Sequence, residues 1–103
     1  MTENKNPDSN GDRDGKTFFP PLDFGSIIAP FYTQALIKLG LLNDPALDAP
    51  DENLPLARRL IDLLDLLKDR TQGRLEPEEE IFFESALSQL KMHYIEKAEV
   101  IKL

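Results

Sequence analysis

Three stretches of the chain carry apolar residues at three- and four-residue spacing, the period of a helix that buries one face. In the first, Phe24, Ile27, Ile28, Phe31, Ala35, Leu36 and Leu39 share one side, with Ser26, Thr33 and Gln34 opposite. At ~100° per residue that arc covers about half the cylinder. Asp23 stands where an N-cap belongs and Gly40 where a C-terminal stop belongs. The spacing therefore predicts a helix over 24–39. Pro30 falls past the first turn, on the polar side, and predicts a kink at a point where water can meet the lost hydrogen bond.

The second stretch, Asn53 to Glu80, reads NLPLARRLIDLLDLLKDRTQGRLEPEEE and is punctuated at both ends. Asn53 is a good N-cap, and Pro55 sits in the first turn, where its missing N–H is no loss. Leu56, Leu60, Leu63, Leu64 and Leu67 mark the centre of an apolar face that Leu54, Ala57 and Ile61 widen. Arg58, Asp62, Asp65 and Asp69 line the other side, with Arg58 and Asp62 spaced as an i,i+4 ion pair. The apolar arc approaches ~180°, wider than the ~100° needed against one neighbour. This helix, predicted over 54–71, should touch two partners and be the central one. Thr71-Gln72-Gly73 closes it, with Gly73 at a left-handed C′ position and Leu75 folding back onto the last turn.

The third helix is predicted over 77–97. Pro77 suits the first helical position, and Glu78, Glu79 and Glu80 suit the positive end of the dipole. Phe83, Leu87, Leu90, Tyr94 and Ala98 form one stripe, with Ala86 beside it. Ile81, Met92 and Ile95 lie nearly opposite, interleaved with Ser85 and Ser88. They read either as scattered surface apolars or as a partner or self-association surface. Beyond Lys97 the helix either continues or frays. The short Gly-Pro connection makes helices two and three an antiparallel hairpin, with helix one packed across both. No strand pattern is present, so the fold class is all-α: a small three-helix domain over 17–103.

The remainder connects these elements. Residues 1–16 have no large apolar side chain after Met1 and cannot offset their ordering entropy, which predicts a disordered tail. Phe18-Phe19-Pro20-Pro21 reads as an extended strap whose phenylalanines pin it to the helices. Leu41 to Glu52 carries four acids and no base. It lacks the glycine and the ligand spacing of a calcium loop and reads as a solvated linker. The run from Phe24 to Leu42 approaches the ~20 residues of a membrane span, but Thr33, Gln34, Lys38, a proline and two glycines argue for a buried helix instead.

Composition narrows the function classes. A chain of 103 residues without cysteine has room for one domain and no disulfide or thiolate metal site. A domain this small buries only roughly 60–65% of its unfolded surface, so it needs a well-packed core or self-association. The net charge of −7 argues against nucleic acid as a partner. The absence of an export signal makes a cytoplasmic location the expectation. The single histidine, His93, has only Glu96 nearby in sequence, too little for a metal site. No phosphate loop or nucleophile motif occurs, so neither catalysis nor a cofactor is expected.

Six segments in order carry a resemblance: Pro-Leu-Asp-Phe (21–24), Ala-Leu-Ile-x-Leu-Gly (35–40), Asn-Leu-x-Leu-Ala-Arg (53–58), Ile-Asp-Leu-Leu-x-Leu-Leu (61–67), Thr-x-Gly-x-Leu (71–75) and Pro-Glu-Glu-Glu (77–80). Together they resemble a family of short bacterial proteins filed as domain of unknown function eighteen-forty-four. The likeness spans about residues 20–95. It implies a bacterial, cytoplasmic, helical protein and transfers no activity, cofactor or catalytic residue. The family tends to place Ser or Thr before Pro-Glu-Glu, where this chain has Glu76, so a capping box is expected to be lost. Pro30 is unusual inside the family's first helix.

The leading expectation is a non-catalytic interaction module that binds another protein or a second copy of itself, with Ile81, Met92 and Ile95 as the candidate surface. The alternative is a carrier or sensor holding a small apolar ligand between helices one and two, in a pocket lined by Phe24, Phe31 and Leu60.

Overall fold

A computed structural model of the chain describes residues 22–102. The expected tail over 1–16 and the strap through Pro21 lie outside the described residues. Three helices follow in order: α1 (Phe24–Lys38), α2 (Leu54–Arg70) and α3 (Pro77–Lys102). The first two end within a residue of where the spacing puts them. α3 runs five residues further than 97, because nothing in its last turns breaks a helix.

The helix ends explain themselves locally. Asp23 has extended backbone, and its Oδ1 accepts from the Ser26 N–H at 3.1 Å. At the other end of α1, Gly40 takes φ +80°. The Gly40 N–H donates to the Ile37 carbonyl at 2.9 Å and the Leu41 N–H to the Leu36 carbonyl at 3.0 Å, the paired bonds of a Schellman stop. Pro30 sits exposed in a helix that continues through it. Asn53 Oδ1 caps α2 through the Leu56 N–H at 3.1 Å. Thr71 ends α2, its Oγ1 donating to the Leu67 carbonyl at 2.9 Å. Gly73 is left-handed at φ +78°, one residue later than a C′ position, because Thr71 is itself the cap. Leu75 folds back against the core as expected.

At the start of α3 the capping box is only half lost. The Glu76 N–H donates to Glu79 Oε1 at 2.9 Å, the reach-back from the third helical residue that such a box contains. The other oxygen of the same carboxylate accepts from the Phe24 N–H at 2.8 Å. Glu79 thus satisfies a backbone donor at the start of α1 and another at the start of α3, and ties the two ends together.

The core draws on all three helices: Ile28, Ala35 and Leu39; Ala57, Ile61 and Leu64; Phe83, Leu87 and Leu90. Phe24, Tyr32, Leu36, Leu54, Leu60, Leu67, Leu75 and Tyr94 pack around it. Each helix touches both others, so the domain is a triangle. The wide face of α2 meets two partners, and α2 takes part in the two more extensive of the three helix–helix contacts, with α1 and α3 also packed on each other. Its buried centre is Ala57–Ile61–Leu64, and Leu56 and Leu63, expected at the centre, stay 39% and 45% exposed. The shift follows from α3, which packs on the edge carrying Arg58 and Asp65: Arg58 lies 5.8 Å from the Tyr94 ring centre and Asp65 3.0 Å from Lys91.

The connection between α1 and α2 is more than a linker. The Asp44 N–H donates to the Ala49 carbonyl, the Asp44 carbonyl accepts from the Leu47 and Asp48 N–H groups, and Asp44 Oδ1 accepts from the Ala46 N–H. Lys38 pairs with Asp51, and the Asn53 N–H donates to the Lys38 carbonyl at 2.7 Å. Ile37, on the side of α1 expected to face water, is fully buried outside the three-helix cluster.

Candidate functional site

α3 has two faces. Phe83, Leu87 and Leu90 are at most 3% exposed, while Ile81, Met92 and Ile95 are 69%, 60% and 57% exposed. At ~100° per residue, Ile81, Ser85, Ser88, Met92 and Ile95 fall within about 80° of arc, on the side away from the core stripe. Their intervals of four, three, four and three residues are those of a heptad seam. Both serines are exposed, as are Glu84 and Lys91 on the border toward α2. The three candidate residues therefore share one outward face, with small side chains between Ile81 and Met92.

A groove of about 310 Å³ lies beside this face, between α2 and α3, lined by Arg58, Ile61, Asp62, Asp65, Lys91, Tyr94 and Ile95. Its charges are mutually arranged: Lys91 with Asp65 at 3.0 Å, and Arg58 Nε with Asp62 at 3.5 Å. Tyr94, and then Asp62, hold the Arg58 guanidinium above its ordinary pKa. Arginine is charged at any physiological pH in either case, so this is a fixed positive wall rather than a switch.

The three residues expected to line the alternative pocket are all partly exposed. The Phe24 ring sits 5.7 Å from that of Phe83 at a tilt of 46°, Leu60 packs on the core, and Phe31 is 40% exposed. His93 Nδ1 lies 3.5 Å from Glu96 Oε1. Among the described residues no three His, Asp or Glu side chains converge on a point that could hold a metal ion.

Sequence reasoning missed a second apolar surface. Ile27 and Phe31 on α1 are 50% and 40% exposed, and Leu56 and Leu63 on α2 are 39% and 45% exposed. α1 turns its Gly25 and Tyr32 side to α3, through Phe82 and Gln89. Ile27 and Phe31 therefore lie on the edge facing α2, and Leu56 and Leu63 on the edge of α2 facing α1. A signal was available: both helices carry apolar arcs near ~180°, more than a triangle of three helices can cover.

No curated protein and no solved structure matches the chain. Among the described residues no helix is long and apolar enough to cross a membrane. A family model described as Domain of unknown function (DUF1844) matches residues 21–96, from the cap of α1 to the last core-facing turns of α3. The segments that carried the resemblance, and the capped three-helix triangle they build, place this chain in that family.

Proposed function

We propose that the chain is a small non-catalytic protein-interaction module of the bacterial cytoplasm. The observation that carries this reading is the outward face of α3. Apolar side chains on a surface helix are ordinary when scattered, but here Ile81, Met92 and Ile95 keep heptad register over about four turns. They make no contribution to a core that is complete without them. The acidic surface, at net charge −7, opposes nucleic acid as the partner. Among the described residues the charged pairs of the α2–α3 groove, Arg58 with Asp62 and Lys91 with Asp65, are half exposed, without the enclosure that general acid–base chemistry needs.

The carrier reading has less support. Of its expected lining, Phe24 and Leu60 pack against the core and Phe31 stands 40% exposed.

The test is a pair of outward substitutions, Met92→Lys with Ile95→Glu, in the full chain. Affinity capture and light scattering should show the variant folded, with its associations lost. Associations that persist unchanged in the variant would remove the reading.

A further inference from the structure

We propose that the occupant of the outward face of α3 is a second copy of the same helix, packed antiparallel about a twofold axis between Ser85 and Ser88. The inference rests on the interaction-module reading and specifies its partner. An isologous interface must be complementary to itself, and this seam is. Reversing the helix and placing it on itself sets Ile81 against Met92 of the second copy and Ser85 against Ser88 of the second copy. The large layers fall at the two ends and the small layers at the centre. Two serines at the centre let the backbones approach closely, while Ile81 and Met92 close the seam on either side.

Charge selects the same arrangement. Glu84 and Lys91 both flank the seam on the side toward α2, where they border one groove with Asp65, Lys68, Leu87 and Ser88. A twofold axis lying across the helices keeps that flank on the same side in both copies. Glu84 of each copy then stands beside Lys91 of the other, giving two symmetric pairs. Lys91 already holds Asp65 at 3.0 Å, and an ammonium has three donors, so it can take a second carboxylate. A parallel pairing, with its twofold along the helices, would put that flank on opposite sides of the seam in the two copies, and neither pair would form. Ile95 lies past the matched layers and remains a wall of the α2–α3 groove.

Two experiments on the full chain test this. The chain has no cysteine, so introduced thiols report cleanly. A chain carrying both Ile81→Cys and Met92→Cys should form a covalent dimer rapidly under mild oxidation. Either single variant should not, since like positions then lie about 16 Å apart along the axis. In the second experiment Glu84→Lys and Lys91→Glu are made in separate chains. Each should self-associate about tenfold more weakly than wild type, as expected for two exposed pairs turned repulsive. A mixture of the two should recover a heterodimer, because both cross-pairs become Lys with Glu. Any strain within one chain is the same in its homodimer and in the heterodimer, so it cannot mimic this result. Single-cysteine variants that cross-link as fast as the double would overturn the antiparallel arrangement. A double variant that never cross-links, in a chain that still loses another partner through Met92→Lys, would overturn the second copy and leave the interaction-module reading standing.

Discussion

α2 and α3 are neighbours in one hairpin, but they use their apolar residues differently. α2 concentrates them toward the core: Ala57, Ile61 and Leu64 are buried, Leu54, Leu60 and Leu67 flank them, and the exposed Leu56 and Leu63 sit on the edge of the same face. Its ends are fixed by Asn53 and Thr71. α3 buries Phe83, Leu87 and Leu90 on one side and presents Ile81, Met92 and Ile95 on the other. The hydrophobic effect places six apolar residues of α2 in or against the core and leaves Leu56, Leu63 and Leu66 39%, 45% and 48% exposed, the first two on the edge facing α1. In α3 it leaves a remainder, and the remainder is in register. Residues that folding does not use, placed where chance would scatter them, are where function is to be sought.

The comparison can be broken from either side, and the largest effect belongs to the buried face. Leu64→Ala removes a side chain that is 2% exposed, and unfolding by denaturant should show a loss of about 2–5 kcal/mol. A loss below about 1 kcal/mol would mean that α2 is not held by its inward face. Glu79→Ala should cost about 1–2 kcal/mol, because one carboxylate serves the first donors of two helices. Glu79→Gln, which keeps one acceptor, should fall between. Gly40→Ala should cost about 1 kcal/mol or more in thermal unfolding, since φ is +80°, a left-handed conformation that a residue with a Cβ adopts under strain. At the small end, Asp65→Asn removes the partner of a half-exposed lysine and should change stability by under about 1 kcal/mol. Met92→Lys, measured in dilute solution, should leave stability within about 0.5 kcal/mol while changing association.

The fold was legible where its causes are local. Asp23, Gly40, Asn53, Pro55 and Pro77 announce helix ends through their own conformational preferences, and the predicted bounds follow them closely. The 3.6-residue period placed Ile28, Leu64, Phe83 and Leu90 in the core. What stayed hidden depends on contacts between distant segments. Leu56 and Leu63 are outside because α3 pulls the buried face of α2 toward Arg58 and Asp65. Ile37 is buried despite lying on the polar side of α1. The linker is ordered by Lys38 with Asp51 and by the Asn53 N–H on the Lys38 carbonyl, pairings between residues 13 and 15 apart in sequence. The second role of Glu79 spans 55 residues, and no helical template contains it. The outward residues Ile81, Met92 and Ile95 could be named from the sequence because a helix face is a local property. Their matching with Glu84 and Lys91 emerges once the flank toward α2 is known.

The most direct test is the mass of the full chain in solution by sedimentation equilibrium, with and without Met92→Lys and Ile95→Glu. Wild type should approach twice its 11.7 kDa as concentration rises, and the double variant should stay at the mass of one chain with its helix content intact. A wild-type chain that remains a monomer at the highest concentration, or a dimer that the two substitutions do not touch, would contradict a second copy as the occupant of the outer face of α3.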